Sequence, residues 1–159
     1  MTARPCVQRR RRGEIQSFRS WPPPLLPSTV RSTRWLLRVR LADEDLKTSR
    51  IAAWVLGRMG DSSDILALRD GMRRSSDDLT RCYFEHSLAA LGDAEGLQAL
   101  ERNLTHEDKL IRAYAATFAG DAGAVALAPK LVPLLDDPVT DVRVRACQTL
   151  LVFGRSSGE

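Results

Sequence analysis

From about Val30 the apolar positions fall into a pattern that recurs along the chain. Four segments, AAWVLGRMGD, HSLAALGDAEG, AATFAGDAGA and QTLLVFG, end alike. Anchored on Gly60, Gly92, Gly123 and Gly154 they are spaced 32, 31 and 31 residues apart. A period of that size is the signature of a repeat built from supersecondary units. Eleven residues before each glycine stand Ser49, Arg81, Arg112 and Arg143. Three, seven and ten places after those anchors come Ala52, Leu56 and Met59, then Phe84, Leu88 and Leu91, then Ala115, Ala119 and Ala122, then Ala146, Leu150 and Phe153. These offsets put each trio on one face of a helix.

A second comb follows the first three glycines at offsets of five, eight and twelve: Ile65, Leu68 and Met72; Leu97, Leu100 and Leu104; Ala128, Leu131 and Leu135. Each unit therefore reads as helix, glycine turn, helix, with the glycine at the left-handed position that closes a helix. Thr105 with Asp108 and Ser75 with Asp78 have capping-box spacing, and Asp137-Pro138 suits a helix start. Leu37 and Leu41 make STRWLLRVRLADED the end of an unpaired second helix, so the array begins and ends on half-units. The pattern predicts helices over 31–42, 45–59, 63–74, 78–91, 94–104, 108–120, 125–136 and 139–153. Pro133 removes a backbone donor inside the seventh and should disturb it. With no second helix after it, the last helix should leave Val144, Leu151 and Val152 facing water, which favours self-association through the C-terminal end.

Composition supports the helical reading. Hydrophobic residues make up 43% of the 159-residue chain and aromatic ones only 6%, so alanine and leucine carry the apolar content. The net charge of +4 divides unevenly. Residues 1–40 hold ten arginines against Glu14 alone, a net +9, whereas residues 41–159 carry 14 basic and 19 acidic side chains, a net −5. A mildly acidic body repels a phosphate backbone, so nucleic acid is not the expected partner despite the run Arg9 to Arg12. Residues 1–29, rich in arginine, serine and proline, read as a disordered tail, 30–155 as the repeat domain, and 156–159 as a disordered end. No apolar run reaches membrane-spanning length, and charge and the prolines of WPPPLLP interrupt what a signal peptide would need, so a cytoplasmic protein is expected. Cys6, Cys82 and Cys147 are odd in number and widely spaced, which supports neither a disulfide framework nor a zinc site.

The segment LLDDPVTDVRVRACQTLLVFG, residues 134–154, resembles a HEAT repeat of the short phycobilisome-lyase type: paired leucines, an acidic turn, valine-arginine, spaced alanines and a terminal glycine. NLTHEDKLIRAYAATFAGDAG and LTRCYFEHSLAALGDAEG follow the same pattern, and the first unit departs most, with Ser49 in place of the arginine. The resemblance covers about residues 41–154 and implies an all-α fold, a right-handed α-solenoid of three to four repeats. It also implies a structural ladder in which a turn aspartate and the following arginine bond along the stack: Asp78 with Arg81, Asp108 with Arg112, Asp141 with Arg143.

Some HEAT proteins are enzymes, deoxyhypusine hydroxylase and bilin lyase subunits among them. A di-iron centre needs several converging imidazoles and carboxylates, and this chain offers only Glu85-His86 and His106-Glu107, at unmatched repeat positions. Cys82 and Cys147 have no neighbouring histidine to activate a thiolate, and Trp35 and Trp54 read as packing residues. The expected function is a non-catalytic protein–protein scaffold without cofactor, metal or catalytic residues. Second helices usually line the concave face of such a stack, which nominates Asp64, Arg69, Arg73, Arg74, Gln98, Glu101 and Arg102 as partner contacts. Two alternatives stand beside it: an accessory subunit of a tetrapyrrole lyase, and a truncated repeat reading frame without an independent role.

Overall fold

The computed structural model describes residues 27–156. The expected tail 1–29 and the end 156–159 lie mostly outside the described residues. Eight α-helices follow in order: α1 Pro27–Arg40, α2 Leu46–Met59, α3 Ile65–Arg74, α4 Asp78–Ala90, α5 Ala94–Asn103, α6 Lys109–Asp121, α7 Ala128–Leu131 and α8 Thr140–Ser156. Short 3₁₀ turns at Ser62–Asp64, Val125–Leu127 and Val132–Asp136 complete the set, and there is no strand among the described residues. The first helix of each unit packs on the next in chain order, α2 on α4, α4 on α6 and α6 on α8. The second helices back this layer, α1 against α2, α3 and α5 against α4, and α7 against α8. The result is an α-solenoid with its core between two helical layers.

The combs supply that core. Leu41, Ala52, Leu56, Leu68, Phe84 and Leu88 form one buried cluster, and Leu100, Leu104, Ile111, Ala115, Ala119, Leu131, Val142, Ala146 and Phe153 belong to a second. Two comb positions are corrected. Met59, the last residue of α2, is 79% exposed, because the helix ends before its side chain reaches the next layer. Leu134, not Leu135, is the buried residue after Leu131. Pro129 and Pro133 reduce the expected seventh helix to four α-helical residues, and a 3₁₀ turn carries on from there. With three residues per turn instead of 3.6, the inward position falls three places on.

Two of the four glycine turns have the expected left-handed conformation, Gly92 at φ 79° and Gly123 at φ 63°. At Gly92 the N–H of Asp93 donates to Leu88 at 2.9 Å and that of Gly92 to Ala89 at 3.0 Å. Ala124 and Gly123 repeat this on Ala119 and Gly120, at 3.0 and 3.1 Å. Both sets are Schellman motifs, which satisfy the last helical carbonyls. Gly60 instead is extended, and what excludes a side chain there is collision of a Cβ with the carbonyl of Leu56. Gly154 ends nothing, since α8 runs through it to Ser156. Helix starts are capped by carboxylates and not by the hydroxyls of Ser75 and Thr105: Asp77 accepts from Thr80 N–H, and Asp108 from Leu110 N–H.

Two kinds of rung recur along the stack. In one, a missing Cβ lets two helices touch: a side chain on Gly57 would come within 2.7 Å of the Ser87 backbone, and one on Gly120 within 3.0 Å of Thr149. The hydroxyls thus brought close donate to main-chain carbonyls of the preceding helix, Ser87 to Ala53 and Thr149 to Ala116, both at 2.7 Å. The other rung is the arginine. Arg81, Arg112 and Arg143 each donate to the carbonyl six residues back, on Ser75, His106 and Asp137, at 3.0, 2.8 and 2.8 Å. Ser49, in the arginine position of the first unit, donates to the Leu41 carbonyl at 2.9 Å.

The carboxylate partners differ from those the resemblance implied. Asp108 caps α6, and Arg112 reaches forward to Asp137 through Nε at 2.8 Å and Nη2 at 3.2 Å. Asp141 pairs with Arg145 at 2.9 Å, not with Arg143. Arg81 and Asp78 do lie together, 3.5 Å apart at the surface. A further forward pair, Arg50 to Asp77 at 2.8 Å, joins the first unit to the second.

Candidate interaction surface

The second-helix face, expected to carry the partner contacts, is held by ion pairs within the chain. Asp64 is the clearest correction. It is fully buried and receives Arg34 Nη2 at 2.6 Å and Arg38 Nε at 2.6 Å, so it presents nothing to a partner. These bonds hold its carboxyl below the ordinary range against the opposing effect of burial. Arg69 reaches Asp93 at 2.5 Å and Glu95 at 3.7 Å, and Glu101 meets Lys130 at 3.1 Å. These pairs link α1 to α3, α3 to the start of α5, and α5 to α7. Of the seven nominated residues only Arg73, Arg74, Gln98 and Arg102 stand at the surface with no partner helix on them. They are scattered: Arg74 borders a cleft beside Leu41 and Phe84, Gln98 one beside the Gly92 and Gly123 turns, and Arg102 a third near Arg81.

The opposite face gathers its residues. On the first-helix layer a groove of about 300 Å³ runs over three consecutive units, lined by Ile51, Trp54, Tyr83, Tyr114, Thr117, Phe118 and Asp121. Its walls are α2 and α6, and α4 supplies Tyr83 to the floor. The C-terminal ends of the two walls approach closely enough for Arg58 to stand 3.6 Å from Asp121 across α4. Trp35, 62% exposed on α1, and Trp54 are therefore not core residues. Trp54 is 38% exposed on the groove wall and Ile51 61% exposed beside it. Tyr83 meets Tyr114 and Phe118 at centroid distances of 5.5 and 5.0 Å, which builds a continuous ring surface. Burial, with a hydrogen bond to Tyr114, pushes the Tyr83 phenol up to about 12, so the floor is uncharged. Arginines border it: Arg58 lies 5.8 Å over Trp54 and Arg145 5.4 Å over Tyr114, each a cation–π pair.

Beneath the groove, α4 and α6 meet without the glycine–hydroxyl rung. Phe118 and His86 occupy this joint instead, stacked at 4.0 Å and 15°. His86 is fully buried and neither ring nitrogen has a hydrogen-bond partner. Burial, with the positive charge of Arg58, lowers its pKa to about 4. Neither this histidine nor His106 belongs to a group of metal-binding side chains, and there is no such group among the described residues. Cys82 is buried, which pushes its thiol well up and leaves it unreactive, whereas Cys147 is exposed.

Stacked helix pairs, glycine turns and arginine rungs define a repeat solenoid of the HEAT class. The family model described as HEAT repeats matches residues 67–151. The chain belongs to the HEAT repeat family. No curated protein matches the sequence. Among solved structures it is similar to a chain in the complex of CpcE and CpcF of phycocyanin lyase from a Nostoc strain, at 20% identity and a TM-score of 0.44. That match covers 89% of this chain and 70% of the other. No helix among the described residues is long and apolar enough to cross a membrane.

Proposed function

We propose that this protein is a non-catalytic scaffold that docks a protein partner in the aromatic groove of its first-helix layer. The observation that carries this reading is the groove itself: ring faces and aliphatic side chains from three units converge at an exposed site bordered by arginines. Tryptophan, tyrosine and arginine in a central, dewettable pocket are the residues that dominate binding energy at protein interfaces. Capture from source-cell extract, followed by calorimetry with the captured protein, tests it. Ile51→Glu and Trp54→Ala should each weaken binding about tenfold or more, while Arg73→Ala, Arg74→Ala and Gln98→Ala leave it unchanged. The reverse pattern would move the site to the second-helix face. Pigment co-purifying with the protein, seen as visible absorbance, would instead make it an accessory subunit of a tetrapyrrole lyase.

A second contact is proposed on the exposed apolar face of α8. Val144, Leu151 and Val152 are exposed on α8, as the pattern of the last unit implies, and Leu151 reaches 59%. Covering the exposed half of one such side chain contributes roughly 1 kcal/mol, so two copies meeting at α8 have a driving force. Sedimentation velocity should show a concentration-dependent coefficient for the unmodified chain and a monomer for Leu151→Glu. A monomer for both at high concentration would refute the contact.

A further inference from the structure

Forward arginine–aspartate pairs join the first unit to the second and the third to the fourth, Arg50 to Asp77 and Arg112 to Asp137, but among the described residues no such pair joins the second to the third. Between the third and fourth units Arg112 meets Asp137, 25 residues ahead of it, while Asp137 also accepts from Val139 N–H at 2.9 Å and gives its carbonyl to Arg143 at 2.8 Å. Twenty-five residues ahead of Arg81 stands His106. His106 performs the same two main-chain tasks, its Nδ1 accepting from Asp108 N–H at 3.0 Å and its carbonyl accepting from Arg112 at 2.8 Å. What it lacks is the negative charge. Arg81 donates to the Ser75 carbonyl and lies 3.5 Å from the exposed Asp78, but meets no carboxylate of the next turn.

The place where that carboxylate would sit is open. A cavity of about 300 Å³ lies there, lined by Asp78, Arg81, Glu85, Arg102, Asn103, His106 and Ile111. With Nδ1 accepting from Asp108 N–H, Nε2 is the ring nitrogen left to donate. Arg81 and Arg102 add cationic donors. Glu85 stands where the neighbouring units have Ala53 and Ala116, and Asn103 ties its carboxyl down at 2.6 Å. Burial raises the pKa of Glu85. The departures from the repeat at Glu85 and His106 thus meet in one cavity.

We propose that this cavity binds a carboxylate, which takes the position Asp137 holds one unit further on and bridges Arg81, Arg102 and His106. Planar two-point contact with a guanidinium suits a carboxylate. The ligand is either a free carboxylic acid or an acidic side chain of a docked segment; the site lies apart from the aromatic groove and does not depend on it.

The test is an NMR titration at constant ionic strength with succinate, with a capped Gly-Asp-Gly peptide and with inorganic phosphate, following the arginine Nε–H signals and the His106 ring. Saturable shifts with succinate or the peptide are expected. A peptide at least tenfold tighter than succinate identifies a side chain as the source, and equal affinities identify a free acid. His106→Asp installs the missing carboxylate, so it should raise the thermal midpoint and abolish the response. Arg81→Gln should abolish the response with circular dichroism unchanged. A larger response to phosphate, no saturable shift, or a response that survives in His106→Asp would each overturn the proposal.

Discussion

Acidification from pH 7 to pH 4 should cost the fold roughly 3 kcal/mol through His86 alone, and replacing that residue by leucine should remove most of the loss. Unfolded, the imidazole titrates near 6.5; folded, burial lowers it to about 4. Between those values the unfolded chain binds a proton that the native one refuses, so stability falls as pH drops through this window and levels off below it. Glu85, whose pKa burial raises, opposes part of this effect as it protonates. Asp61, Asp64, Asp77 and Asp137, held below the ordinary carboxylate range, add their losses only below about pH 4, as they protonate in turn. The two contributions therefore separate along the pH axis. His86→Leu should also be the more stable protein at pH 7, since two buried nitrogens without partners disappear. Urea unfolding at half-unit pH intervals measures both effects. A wild-type curve as flat as that of the variant between pH 6.5 and 4.5 would mean that water reaches the ring.

Asp64→Ala should lose about 2–4 kcal/mol in urea unfolding, whereas Arg73→Ala should stay within roughly 0.5 kcal/mol of wild type. The aspartate is buried and compensates two arginines, and its removal leaves Arg34 and Arg38 partly buried opposite an apolar methyl group. The lower end of the range applies because both guanidinium groups keep some access to solvent, and because Asp61 remains beside Arg34. Destabilisation below 1 kcal/mol would show that α1 is held by its apolar contacts instead.

That contrast shows what could be read from the sequence. Period and offset depend only on local geometry, so the helices, their order and most of the buried trios were legible. Leu134 escapes the helical period because two prolines change the number of residues per turn at that point. Asp64 reads as a surface residue because it lies just ahead of the second comb of its unit. Its burial comes from arginines about 26 and 30 residues earlier, and no local pattern encodes them. Ile51 and Trp54 form a groove only because α6 comes round to face them, a matter of curvature. The signal at His106 was present all along: aligned on the arginines, it stands in the column occupied by Asp137.

The joint between α4 and α6 has a mechanical meaning. Its neighbours on both sides are clamped by a glycine–hydroxyl contact and by an arginine–aspartate pair, while this one has an aromatic stack and a histidine in their places. The two walls of the aromatic groove, α2 and α6, lie on either side of this joint, and Arg58 and Asp121 span it at 3.6 Å. The angle at this one joint therefore sets the width of the groove.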